Sequence, residues 1–278
     1  MAETKIGFAA VAAFCLALSG CAPRFTWEKY EVDGHITGVF APDAGNVEEA
    51  LGKVGGDVYL SPSGRTFNGG ATVAVARDMV AAQPAMAELK TVVAYSNHGL
   101  SSESPESPLS NFLVDNMMAA VEKETGRKVD IGILNFGGIR VDIPAGNVIR
   151  DDIVSMLPFR NNLALVTLKG KDVLDIFKFL AADRVQAVGG VKFTVRNGNV
   201  EELLVGGVPP DPERLYSVAT VDFLLDGGDG LKVAKNAVEL IISDKRIGDV
   251  IMASVLKLTE EGRTLDYGRD GRVVVMND

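Results

Sequence analysis

Three short loops carry the residue types that could do chemistry. Asn135-Phe136-Gly137-Gly138-Ile139-Arg140 follows an apolar stretch directly; its paired glycines let backbone approach a ligand, and its arginine offers a planar fork for phosphate or carboxylate. Leu157-Pro158-Phe159-Arg160-Asn161-Asn162 fixes an aromatic ring behind a proline. Asp222-Phe223-Leu224-Leu225-Asp226-Gly227-Gly228-Asp229-Gly230 sets a second aromatic ahead of a flexible acidic turn. Taken singly, Gly-Gly-Arg is a common turn, a lone phenylalanine is usually core, and Gly-Gly-Asp-Gly is usually a loop. Their combination in one chain is not ordinary.

What is scarce matters as much. The 278 residues contain two histidines, His35 and His98, with no His-Glu-x-x-His pattern and no local ligand pair. Two-metal hydrolases draw on several imidazoles and carboxylates, so this sequence does not supply a complete binuclear site. Lys and Arg number 28 against 37 Asp and Glu, giving net charge -9. That balance repels phosphate backbones and speaks against a nucleic-acid polymer as partner. Hydrophobic residues make up 47% and charged residues 23%, enough apolar material for a globular core.

The elements that must hold the loops follow from periodicity. Apolar spacing predicts a helix over 109–124, with Phe112, Leu113, Met117, Ala120 and Val121 on one face and Gly126 placed to end it. A second helix is predicted over 170–182, carrying Val173, Leu174, Phe177, Leu180 and Ala181. Val129–Asn135 reads as a short strand. Residues 191–195 and 200–205 flank Arg196-Asn197-Gly198-Asn199, whose Asn-Gly supplies the positive φ angles of a type I′ hairpin turn. Strands over 216–223 and 272–276 and a helix over 248–259 complete this part. Upstream, residues 30–40 alternate as strands do, and 46–54 and 71–82 have helical composition, punctuated by Gly55-Gly56 and Ser61-Pro62-Ser63-Gly64. Ser101–Pro108 is polar and turn-forming. Without a strict βαβ rhythm, the expected class is α+β, a mixed β-sheet with packed helices.

The first segment reads as targeting. Lys5 precedes an apolar stretch, Ile6–Leu18, too short for the roughly 20 residues of a spanning helix. Leu18-Ser19-Gly20-Cys21 resembles the bacterial lipobox, which implies a cleaved lipoprotein signal at 1–20 and a lipid on Cys21. A tether and a small leading subdomain then occupy 21–100. Removal of Cys15 leaves no second thiol, so no disulfide is expected within the chain. No acidic residue follows Cys21 directly, which by analogy with bacterial sorting patterns points to lipid anchoring in the cell envelope, on the periplasmic side of the outer membrane.

From Glu106 to Asp278 the order and spacing of the motifs resemble the C-terminal domain of bacterial and animal 5′-nucleotidases, the family that includes periplasmic UDP-sugar hydrolase. The matching runs are PESPLSNFLVD (105–115), NFGGIR (135–140), LPFRN (157–161), LKGKDVLDIF (168–177), GGVKF (189–193), YSVATVDFLLDGGDG (216–230) and the terminal DGR (270–272). The resemblance assigns 101–278 to that domain and its fold, and it implies a nucleotide site. Phe159 and Phe223 match the two rings that clamp the base, an arrangement that tolerates any base and is worth about 1–3 kcal/mol per base. Arg140 matches the arginine that contacts phosphate or ribose, and Asp229 the carboxylate that accepts from ribose hydroxyls. Asn135 and Asn161 match polar contacts to base or sugar, and Gly190 a backbone approach to the base.

Two departures stand out. Ser102, Glu103 and Ser104 occupy positions where family members often carry further arginines, and Leu109-Ser110-Asn111 replaces the usual Leu-Gly-Asn, as in a lineage where this domain is a separate lipoprotein. Full-length members also begin with a metallophosphatase domain carrying DxH, GNHE and HxH motifs. Asn97-His98-Gly99 has neither the preceding glycine nor the following glutamate and reads as a surface or turn histidine. The expectation is therefore the substrate-binding half of a split 5′-nucleotidase, with no catalytic residue or metal ligand of its own. Divalent metals would reside on a separately encoded metallophosphatase chain, and the ligand would be a nucleoside, nucleotide or nucleoside diphosphate sugar. The rival is a non-enzymatic nucleoside-binding envelope lipoprotein.

Overall fold

The computed structural model describes Pro42 and residues 45–277. The signal at 1–20, Cys21 and the strands expected over 30–40 lie outside the described residues. The leading part consists of α1 (Val47–Leu51), β1 (Lys53–Gly55), β2 (Val58–Leu60), β3 (Thr66–Asn68) and α2 (Gly70–Met86). Then come β4 (Val92–Ser96), α3 (Pro108–Thr125), β5 (Ile131–Leu134), β6 (Gly146–Ile149), α4 (Arg150–Met156), β7 (Asn162–Lys169) and α5 (Gly170–Ala182). The last elements are β8 (Ala187–Gly189), β9 (Val191–Arg196), β10 (Asn199–Val205), β11 (Leu215–Val221), β12 (Glu239–Arg246), α6 (Ile247–Glu260) and β13 (Val273–Met276).

The helix expected over 46–54 stops at Leu51. Gly52 has φ +79, and a Cβ there would run into the Leu60 carbonyl, so the chain turns into β1 of an antiparallel meander instead. β4 pairs antiparallel with β6, Thr259 Oγ1 on α6 donates to the Val93 carbonyl at 2.7 Å, and Val93, Ala94 and Leu100 join the main core. β4, within the expected leading segment, therefore packs with the elements that follow it.

A five-stranded sheet of order β12-β7-β11-β5-β8 forms the centre. β11 runs parallel to β5 and antiparallel to β7, so the sheet is mixed, as the α+β reading expected. Its interior strand β7 has no counterpart in the periodicity: Leu163, Ala164, Leu165, Val166 and Leu168 are all buried, and a strand covered on both faces has no alternation to betray it. β11 stops at Val221, its last residue paired with β7, so Phe223 belongs to a 3-10 turn (Asp222–Leu224) rather than to the strand. The second sheet, β10-β9-β13, contains the predicted hairpin, with Asn197 at φ 48 and Gly198 at φ 74. Phe177 of α5 meets Phe193 of β9 edge to face, with ring centroids 4.9 Å apart, and joins the two sheets.

α3 seats on the central sheet through glycine. A Cβ on Gly132 or Gly189 would lie 2.6–2.8 Å from Val114 and Met118 side-chain atoms, so only bare backbone admits the helix this closely. The helix begins with a reciprocal cap: Ser107 Oγ accepts from Ser110 N–H at 3.2 Å, and Ser110 Oγ accepts from Ser107 N–H at 3.0 Å. Ser110, the departure from Leu-Gly-Asn, thus does capping work that glycine cannot. Gly126, with φ 66, ends the helix as predicted.

The closing segment is tied back to α3 by polar groups. Glu106 is 7% exposed, and its Oε1 accepts from Asn111 Nδ2 at 2.8 Å, Asp270 N–H at 2.8 Å and Gly271 N–H at 3.2 Å. Arg272 makes a two-pronged contact with Asp115, at 2.6 and 3.0 Å, and also reaches Asp270. Tyr267 donates to the same Asp115 carboxylate. Burial pushes the Tyr267 hydroxyl above the ordinary tyrosine range, and the Arg272 hydrogen bond holds Asp270 below the usual carboxylate range.

Glu106→Leu strands three donors and is expected to cost about 3 kcal/mol or more in urea unfolding, whereas Glu106→Gln, which keeps the accepting oxygen, costs well under half of that. Because folding lowers the Asp270 pKa, its contribution is present above the unfolded value near 4 and fades as pH falls through the folded one. Asp270→Asn should therefore flatten the fall in stability below about pH 4, measured as denaturation midpoint against pH.

Candidate functional site

The three chemically suggestive loops leave the central sheet from one end. Val221 pairs with Leu163, and the parallel register Val218–Ile131, Ala219–Gly132 continues to bring Val221 level with Leu134. Asn161 enters β7, Asp222 leaves β11 and Asn135 leaves β5 at that level. β8 adds a fourth segment, since Ala187 pairs with Leu134 and sets Gln186 opposite Asn135.

Asn135 and Asp229, 94 positions apart, meet directly: Asn135 Nδ2 donates to Asp229 Oδ2 at 2.8 Å. The turn after Asn135 is a single 3-10 turn (Phe136–Gly138), closed by Gly138 N–H to the Asn135 carbonyl at 3.1 Å. A Cβ on Gly138 would lie 3.0 Å from Asn135 Oδ1, and one on Gly137 would lie 3.4 Å from Asp229 Oδ2, so the paired glycines make room for the amide and the carboxylate. Asn135 is 4% exposed, and its Oδ1 is buried without a partner, a cost of about 1–3 kcal/mol. Asp229 itself is exposed and sits at φ 49, a left-handed conformation uncommon outside glycine. It is held there by Gly230 N–H to Gly227 O at 3.1 Å and Leu231 N–H to Gly228 O at 2.9 Å.

The rings are open to solvent. Phe159 is 49% exposed and Phe223 45%. A Cβ on Gly228 would lie 2.7 Å from the Phe223 ring, so that ring rests on the bare backbone of the acidic turn. The Arg140 guanidinium lies 6.0 Å from the Phe159 ring centroid and donates to the Gly137 carbonyl at 3.3 Å. Its backbone N–H is anchored on the Met156 carbonyl at 2.9 Å, and among the described residues no carboxylate neutralises it. Asn161 is half-buried at the mouth of β7, with its carbonyl accepting from Ile247 N–H at 3.1 Å.

Six expected residues, Asn135, Arg140, Phe159, Asn161, Phe223 and Asp229, are thus carried at one end of the sheet. Gly190 is not. It lies past the other end of β8, at φ 74, where a Cβ would run into the Asp130 carbonyl ahead of β5. Its glycine is required by that backbone crossing. His98 is an exposed bend residue after β4. No group of three or more His, Cys, Asp or Glu among the described residues is placed to hold a metal ion. Sequence reasoning passed over Gln186, which is 3% exposed and accepts from Phe136 N–H at 2.9 Å through Oε1. A lone glutamine before a short apolar strand gives no local signal; only the β5–β8 register exposes it.

Chemically, this end of the sheet offers two flat apolar faces, an unneutralised guanidinium and a carboxylate fixed by an amide. Such a set can hold and orient a flat anion.

Known proteins resemble this chain in sequence and in fold. The family described as "5′-nucleotidase, C-terminal domain" matches residues 86–236. Protein UshA of Escherichia coli is 30% identical over 128 residues, 43% of this chain and 23% of UshA. The 5′-nucleotidase of Vibrio vulnificus is 31% identical over 118 residues, 41% of this chain and 21% of that protein. The crystal structure of a 5′-nucleotidase precursor from Thermus thermophilus superposes with TM-score 0.65 at 27% identity, covering 79% of this chain and 46% of that one. The chain thus matches less than a quarter of the length of these two curated relatives.

Asn135→Asp would set a second carboxyl against Asp229 at hydrogen-bond distance. Two carboxylates that close do not both ionise, so the pair is expected to take up a proton well above the ordinary value near 4. A carboxyl-detected NMR titration of the variant checks this, and the absence of any such step would break the Asn135–Asp229 contact.

Proposed function

The chain belongs to the 5′-nucleotidase C-terminal domain family, and on that premise we propose that it is the nucleoside- and nucleotide-binding half of a phosphoester hydrolase whose metal-bearing half is a separate chain. The observation that carries this reading is the convergence of three distant loops, in which Asn135 grips Asp229 and Arg140 lies over Phe159 at the same end of the sheet. In this reading Phe159 and Phe223 stack on the two faces of the base. Asp229, aimed by Asn135, accepts from the ribose hydroxyls, Arg140 pairs with phosphate, and Asn161 adds a polar contact to base or sugar. The ligand is a nucleoside, a nucleotide or a nucleoside diphosphate sugar.

The divalent metals that the family implies fit no cluster among the described residues, and no bond-breaking step is assigned to this chain. Its part is to fix the ligand's position, which lowers a barrier without touching the reacting bond. Lipid on Cys21 would hold it at the envelope, on the periplasmic side of the outer membrane. No helix among the described residues is long and apolar enough to cross a membrane.

Titration calorimetry with adenosine and AMP tests the reading. Phe159→Ala and Phe223→Ala should each weaken binding by about 5- to 150-fold, the equivalent of about 1–3 kcal/mol of stacking, with unchanged circular dichroism because both rings are exposed. Wild-type protein that binds neither ligand overturns the clamp. Turnover of AMP by the purified chain with divalent metal alone overturns the division between two chains.

A further inference from the structure

We propose that Gln186 is a positioning residue of the clamp: it bolts the 136–138 turn and, through Asn135, sets the direction of the Asp229 carboxylate. The inference rests on the nucleoside-clamp reading above and deepens it by naming what orients the ribose acceptor.

The first link is a donor that has no acceptor in its own element. Phe136 opens a 3-10 turn, and the N–H groups at the start of a helical turn lack an internal partner. Here the acceptor is Gln186 Oε1, 2.9 Å away and 50 positions along the chain. The β5–β8 register carries Gln186 to the place opposite Asn135, and its side chain is almost wholly covered, so the bond is neither incidental nor shared with bulk water. The second link is Asn135. Its backbone carbonyl closes the turn by accepting from Gly138, and its side chain donates to Asp229. If the turn moves, both contacts move with it.

Asp229 needs this support. It is exposed, stands at a left-handed φ of 49, and has Asn135 as the one side-chain partner recorded for its carboxylate among the described residues. A free surface carboxylate samples several rotamers, whereas one held by an amide presents its second oxygen in a fixed direction. Gln186 makes no hydrogen bond to the loops of Phe159 or Phe223, which hang from β7 and β11. Its loss should therefore damage recognition of the ribose hydroxyls and spare base stacking, a division that a general loss of stability would not produce.

The test compares adenosine with 2′,3′-dideoxyadenosine, which stacks alike but lacks both hydroxyls. Wild-type protein is expected to favour adenosine by about ten-fold or more, the range of a hydrogen bond to a charged group. Gln186→Leu should bring that ratio close to one while leaving dideoxyadenosine affinity within about two-fold, and Gln186→Glu, which keeps an accepting oxygen, should retain most of the ratio. In unliganded wild type, the Phe136 amide should exchange with deuterium much more slowly than amides of the exposed turns. A ratio unchanged in Gln186→Leu, an equal loss of both ligands, or fast exchange at Phe136 overturns the role of Gln186. Failure of the wild type to bind either nucleoside overturns the clamp itself, and this inference with it.

Discussion

The strand register of β11 between β7 and β5 is the constraint on which everything at the site depends. One edge of β11 is antiparallel and the other parallel, so the start of β7, the end of β11 and the end of β5 fall at one level. That is why loops separated by dozens of residues in the chain share a surface. Pairing of this kind tolerates no small error. A slip of one residue would turn Val218, Thr220 and their neighbours to the wrong face, and β7, buried along nearly its whole length, would lose its fit. The position of these loops is therefore guarded by the same apolar burial that makes the core.

The scaffold behind the site is stiffened by a second, polar device. Gly132 and Gly189 let α3 approach β5 and β8 to the limit of contact, and Glu106, Asp115, Tyr267 and Arg272 then fasten the closing segment across that helix. Arg272 is largely buried, and burial alone would disfavour its charge; the paired carboxylates Asp270 and Asp115 outweigh this and hold the guanidinium above its ordinary pKa. The segment that ends the fold is thus bound to the helix that supports two strands of the site.

Legibility in the sequence followed the physics of each element. The hairpin at Asn197-Gly198, the cap at Gly126 and the span of α5 could be read because local residues dictate them. The interior strand β7 could not, since burial on both faces erases the alternation that marks a strand. Phe223 was placed on a strand because apolar composition does not reveal where the partner strand ends. The loop residues are reached through motif resemblance and not through any pattern in their own spacing, and the same route cannot tell that Gly190 lies at the other end of β8, where bare backbone yields to the Asp130 carbonyl. Gln186 had no signal at all until the β5–β8 pairing was known.

Several features of this end of the sheet are costs that a stable fold would not choose for its own sake. Two phenylalanine rings stand about half exposed, a guanidinium goes without an ion-pair partner, Asn135 Oδ1 is buried without a donor, and Asp229 holds a left-handed backbone. Elsewhere among the described residues the chain follows the opposite habit, capping α3 reciprocally and giving Glu106 three donors within 3.2 Å. Local violations gathered at one place suit a binding surface: faces left open, charges left unmatched, and a few strained groups held still so that a ligand completes them.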